Sequence, residues 1–176
     1  MNRAAFLDRD GVINVNHGYV HSWEDFQFMP DALEGMRRLQ AAGFKLIVVT
    51  NQSGIARGYY SEAQYHALTA RWVREAAEVA GVNIAAVYHC PHHPDGLVPE
   101  LRQACGCRKP QPGMILQAQR DHDLDLPASV LFGDALTDLQ AAKAAGVGRA
   151  LWVNADSPDS EAVPFLSAVD QVVCVA

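Results

Sequence analysis

Two aspartates separated by one residue, Asp8 and Asp10 in RAAFLDRDGVIN (3–14), directly follow an apolar run. In an extended chain, residues two apart point the same way, so both carboxylates can face one site. Their mutual repulsion calls for a cation. A third carboxylate, Asp134 in SVLFGD (129–134), arriving from another strand, would complete an oxygen-rich pocket suited to Mg²⁺, which favours carboxylates, water and substrate phosphate. With the charge balanced, one aspartate can attack phosphorus to form an acyl-phosphate, while the other protonates the leaving alkoxide and later takes a proton from water. The hydroxyl, amide and backbone donors of Thr50, Asn51, Gln52 and Ser53 can hold the transferring oxygens, and Lys109 can neutralise their charge. Taken singly, each aspartate also reads as a turn or helix cap. Taken together, capping is a poor account of all three.

A second constellation lies in CPHHPDGLVPELRQACGC, where Cys90, His92, Cys105 and Cys107 form a C-x-H … C-x-C arrangement with twelve residues between the halves. Three thiolates and one imidazole are a structural Zn²⁺ set, and such an ion commonly closes a loop that has no core of its own. His93 or His89 can substitute for His92 on spacing alone. A disulfide is the competing account, but a Cys105–Cys107 bridge would be strained and a reducing compartment disfavours it. Arg108 and Lys109 follow Cys107 immediately, so a clamp on this loop also fixes two cations. Cys174, alone in an apolar run, reads as a core residue.

The elements that must position these groups alternate. Apolar runs AAFL (4–7), FKLIVVT (44–50), IAAVYH (84–89), SVLFGD (129–134) and RALWV (149–153) are separated by helical patterns at 31–43, 61–81, 112–123 and 136–146. Uniformly apolar strands taking turns with helices predict a single Rossmann-like α/β domain, with a parallel sheet covered by helices on both faces. Ser61 sits at an N-cap position, and Gly43, Gly81 and Gly146 sit where C-terminal caps belong. Past residue 154 the pattern weakens; SPDSEAVPFL (157–166) is compatible with a short helix and DQVVCV (170–175) with a last strand. In open sheets of this kind ligands bind outside the carboxyl ends of the strands, where the polar clusters after Leu7, Val49 and Phe132 all fall.

With 176 residues, 49% of them hydrophobic, the chain suits one domain with a substantial core. A formal charge of -6 and the lack of a Lys/Arg-rich block argue against a nucleic-acid or anionic-lipid surface. No stretch approaches the roughly 20 apolar residues of a bilayer span, and the first residues do not read as a signal-peptide core. The expectation is a cytoplasmic, monomeric enzyme acting on a small molecule.

FLDRDGVIN, VVTNQSGIARG, CRKPQPGM and FGDALTDLQAAKAAG resemble, in this order, the four motifs of the haloacid dehalogenase superfamily phosphatases. The resemblance implies Asp8 as nucleophile and Asp10 as acid/base, with Mg²⁺ held by the Asp8 and Asp134 side chains and the Asp10 backbone carbonyl. It also implies that Thr50 and Lys109 stabilise the phosphoryl group, with Asn51, Gln52 and Ser53 nearby. Arg108 would recognise substrate, and the loop Asn16, His17, Gly18 and Tyr19 would contact a sugar. His92 is the favoured fourth zinc ligand. The short stretch between Asp10 and the helix at 31 leaves room for only a minimal cap. Within the superfamily, HGYV with CPHHP and CGCRKP is similar to members acting on a phosphorylated sugar, a sugar bisphosphate; histidinol-phosphate hydrolysis is the alternative. One departure stands out: relatives commonly carry Lys directly after the fourth-motif aspartate, whereas here Ala135 follows Asp134. Arg57 is either a replacement for that cation or an ordinary solvated arginine.

Overall fold

Five short runs of apolar residues hydrogen-bond as parallel strands because both of their faces can be covered, which leaves no need for a polar side. In the computed structural model, which describes residues 1–155 and 161–174, these are β1 (Ala4–Leu7), β2 (Lys45–Asn51), β3 (Ile84–Cys90), β4 (Val130–Gly133) and β5 (Arg149–Trp152). Their order across the sheet is β3-β2-β1-β4-β5, and every pairing is parallel. Alternating with them, the described residues form five α-helices: α1 (Ala32–Ala41), α2 (Glu62–Ala80), α3 (Gly113–His122), α4 (Leu136–Ala145) and α5 (Phe165–Val173).

Successive strand residues point to opposite faces, and this divides the core. Ala5, Leu7, Leu46, Val48, Val130 and Phe132 pack with α1, α2 and α5. Ala4, Phe6, Ile47, Val49 and Leu131 pack with α3 and α4. The chain moves outward from β1 through β2 to β3, then returns to the other side of β1 for β4 and β5. The reversal lies between β1 and β4, where an open α/β sheet splays its strand ends into a crevice.

The helix signals hold where their chemistry is specific. Ser61 Oγ accepts from the Gln64 N–H and Gln64 Oε1 accepts from the Ser61 N–H, a reciprocal cap on α2. Gly81 and Gly146 close α2 and α4 in the left-handed conformation, and Gly43 has the same conformation one residue beyond the α1 cap.

The carboxyl-terminal expectation needs correction. Residues 170–173 of the anticipated last strand belong to α5, and Cys174 is its exposed C-cap rather than a core residue. A short apolar run does not distinguish strand from buried helix by itself. Here Phe165, Ala168, Val169 and Val172 fall on one helical stripe that packs on the sheet face shared with α1. The anticipated helix over 157–166 lies partly outside the described residues. Of the remainder, Val163 bridges to Val153 and Phe165 opens α5.

Candidate active site

At the carboxyl ends of β1, β2 and β4 a cavity of ≈ 310 Å³ opens, lined among others by Asp8, Asp10, Ser53, Lys109, Asp134 and Asp138. Its floor is dictated by sheet register. Leu7 pairs with Phe132, and the Asp8 N–H donates to the Phe132 carbonyl at 3.1 Å, so the residues that follow each strand meet across the crevice. The carboxylates of Asp8, Asp134 and Asp138 each offer an oxygen within 4.8 Å of the others.

Lys109 offsets this concentration of charge. It is 3% exposed, and its Nζ lies 3.0 Å from Asp8 Oδ1, 2.6 Å from Asp138 Oδ1 and 2.8 Å from the Val49 carbonyl. Burial works against the ammonium, yet the two carboxylates outweigh it and hold the Lys109 pKa above its ordinary value. The loop carrying Lys109 is pinned in turn by Asn51, whose Oδ1 accepts from the Lys109 N–H at 3.0 Å while its Nδ2 donates to the Lys109 carbonyl at 3.2 Å.

One cation does not balance three anions. Burial, with the Asp138, Asp134 and Asp10 charges, raises the Asp8 pKa well above the ordinary aspartate value despite Lys109. Burial and then the Asp138 charge push Asp134 up to about 6. Such carboxylates suit a hard divalent ion, and the all-oxygen donor set matches Mg²⁺ chemistry. Asp138 is the least available of the three, since Lys109 takes Oδ1 and the Ala135 N–H donates to Oδ2 at 3.1 Å. The backbone at Gly11 approaches Asp134 closely: a Cβ there, where φ is +86°, would fall 2.0 Å from Asp134 Oδ2. Only glycine serves there.

Asp10 is oriented by a different set of groups. Its carboxylate accepts from Arg9 Nη2 at 2.9 Å, Asn14 Nδ2 at 3.0 Å and Gln52 Nε2 at 3.1 Å. Gln52 also donates to Thr50 Oγ1 and accepts from the Tyr60 hydroxyl. Asn16, Gly18, Tyr19, Asn51, Gln52 and Ser53 line the cavity, whereas His17, Thr50 and Arg108 are not among its lining residues. His17 is exposed and Thr50 fully buried. Arg108 is half-buried, with Nη1 lacking a partner among the described residues. Arg57, the candidate substitute cation, instead lies with Nη2 3.1 Å from His93 Nε2.

Sequence reasoning gave no role to three residues here. Asp138 falls a turn after Asp134 in the same polar cluster, but nothing local marks it as a partner of Lys109. Arg9 and Tyr60 carried no signal, because nothing local marks an arginine that buries to 1% exposure or a loop tyrosine that reaches Gln52.

Beside the cavity, Cys90, His92, Cys105 and Cys107 converge. Sulfur–sulfur separations are 2.8 to 3.4 Å, and His92 Nδ1 lies 3.4 Å from Cys107 Sγ and 3.7 Å from Cys90 Sγ. These exceed an S–S bond of about 2.05 Å and approach the edge of roughly 3.7 Å that four ligands make around tetrahedral zinc. All three thiols are unbridged. The histidine alternatives resolve as well, since His93 is turned to Arg57 and His89 to Glu62. The Arg108 N–H points to Cys105 Sγ at 3.4 Å, so the cluster holds the backbone that leads into Lys109.

The HAD-hydrolase-like family model matches residues 106–168. The chain is 47% identical over 159 residues to the D-glycero-alpha-D-manno-heptose-1,7-bisphosphate 7-phosphatase of Photorhabdus laumondii, covering 90% of this chain and 86% of that protein. This chain belongs to the haloacid dehalogenase-like hydrolases. The same family includes the D-glycero-beta-D-manno-heptose-1,7-bisphosphate 7-phosphatase of Escherichia coli K12, 50% identical over 88% of this chain and 81% of that protein. Among solved structures, this hydrolase superposes on the D,D-heptose 1,7-bisphosphate phosphatase of B. bronchiseptica complexed with magnesium and phosphate. The TM-score is 0.83 at 32% identity, covering 99% of both chains. No helix of the described residues is long and apolar enough to cross a membrane.

Proposed function

We propose that the chain is a Mg²⁺-dependent phosphatase that removes the 7-phosphate of D-glycero-D-manno-heptose 1,7-bisphosphate. The observation that carries this reading is the convergence of Asp8, Asp10 and Asp134 with the buried Lys109 in one cavity at the β1/β4 crevice. Support for the substrate comes from relatives at 47–50% identity that bear this activity in their names. The cavity volume falls within the range of small-molecule sites.

Mg²⁺, held by Asp8, Asp134 and the Asp10 carbonyl, would neutralise these carboxylates and the phosphate oxygens. Asp8 attacks phosphorus, forming a P–O bond as the ester P–O bond breaks, and Asp10 protonates the departing alkoxide. A water molecule then attacks the aspartyl-phosphate, giving its proton to Asp10 and releasing Asp8. Lys109 and the donors of Ser53 stabilise the transferring oxygens, while Thr50, buried behind the cavity, holds Gln52 through its Oγ1. Gln52, Arg9 and Asn14 orient Asp10, and Asn51 positions Lys109. The loop from Asn16 to Tyr19 grips the sugar, and Arg108 supplies positive charge to the substrate. Cys90, His92, Cys105 and Cys107 would hold a Zn²⁺ ion, and the loop so closed would keep Arg108 and Lys109 in place. We further propose that the enzyme works as a monomeric single domain in the cytoplasm, where the three unbridged thiols of the zinc loop suit a reducing compartment.

The test is a comparison of rates, with Mg²⁺ present, on the α and β anomers of heptose 1,7-bisphosphate and on L-histidinol phosphate. One heptose anomer is expected to react fastest; equal or faster turnover of histidinol phosphate overturns the substrate assignment. Asp8→Asn is expected to lower kcat by at least about 10⁴-fold, and undiminished activity would remove the nucleophile assignment.

A further inference from the structure

A second cluster of metal-ligating side chains lies away from the cavity and the zinc loop. Glu62 and His66 occupy positions i and i+4 on the first two turns of α2, so both project from one face. His89, near the end of β3, lies opposite them. One ligand atom from each of the three falls within 4.8 Å of the other two. His89 Nε2 stands 2.9 Å from Glu62 Oε1, and the His66 and His89 rings meet edge to face at 5.2 Å. Tyr65, 1% exposed, lies against both rings and restricts their freedom.

We propose that Glu62, His66 and His89 form a second metal site, specific for a borderline transition ion such as Zn²⁺ and open to water at its remaining positions. Two imidazoles and one carboxylate are a recognised three-ligand zinc set, and imidazole nitrogen selects against Mg²⁺. Glu62 and His66 are exposed and His89 is half-buried, so the ion has an entry path. Its place gives it a structural effect. His89 pairs in register with Thr50, and Tyr60, two residues before Glu62, hydrogen-bonds Gln52. An ion here fastens the start of α2 to the end of β3, beside the side chains that orient Asp10. This inference does not depend on the substrate assigned above.

The probe is Zn²⁺ itself, titrated by calorimetry into protein that already holds one zinc per chain, in saturating Mg²⁺. Wild-type protein is expected to take up one further equivalent. Both His66→Ala and Glu62→Gln alter exposed side chains and leave the core intact. Each is expected to weaken that uptake by at least about tenfold while the thiolate-bound zinc is retained. Added Zn²⁺ should raise Tm in wild type and lose this effect in His66→Ala, because binding to the folded state alone stabilises it. Absence of a second equivalent in wild type, or undiminished uptake in both variants, overturns the site.

Discussion

A buried ammonium survives only where acceptors surround it, and Lys109 has three: Asp8, Asp138 and the Val49 carbonyl. Removing the cation would leave buried carboxylates uncompensated, which commonly costs more than the intact pair contributes. Lys109→Met is therefore expected to destabilise the protein by about 3 kcal/mol, read from urea unfolding of the zinc-loaded form without Mg²⁺. A loss too small to measure would mean that Asp8 and Asp138 do not rely on Lys109 for their charge balance. Asp8 and Asp10 were legible as residues because their type and spacing are chemically unusual. Asp138 was not, since an aspartate in the first turn of a helix is ordinary, and its partner lies 29 positions earlier in the chain, at Lys109.

Between elements, two junctions carry testable consequences. The zinc loop joins β3 to α3 and holds the Arg108 backbone through Cys105. Cys107→Ala is expected to lose zinc and, by misplacing Arg108 and Lys109, to lose most turnover; a zinc-free Cys107→Ala protein with full activity would refute the link. At the opposite face, Arg38 joins Glu34 on α1 to Asp170 on α5. Hydrogen bonds from Arg37 and then Arg38 lower the Glu34 pKa to about 2. A depressed carboxylate stabilises the fold at pH values above its unfolded pKa of about 4.3. That contribution disappears as pH falls towards about 2. Glu34→Gln should therefore show a lower Tm than wild type at pH 7 and a vanishing difference in acid. The gap should also shrink in concentrated salt, because these side chains are substantially exposed.

Across the whole molecule, β1 belongs to both core layers, with Ala5 and Leu7 in one and Ala4 and Phe6 in the other. Neither layer can lose its packing without stripping a face from the central strand. Zinc-loaded protein is thus expected to unfold in one transition, with fluorescence and circular dichroism coinciding; two separated transitions would divide the domain. The sequence alone determined the alternation of strands and helices, the parallel sheet, the zinc ligand set up to the choice among three histidines, and the acidic site at the strand ends. Each of those is written in local period, spacing or residue type. Tertiary structure decided the rest: that 170–173 is helical, that Cys174 is exposed, that Asn51 and Gln52 serve the groups beside them, and that Asp138 shares Lys109 with Asp8. The physical reason is that a local pattern fixes what a segment can bury and which chemistry it can offer. Which distant group meets it depends on strand order and register, set by how all the apolar faces close at once.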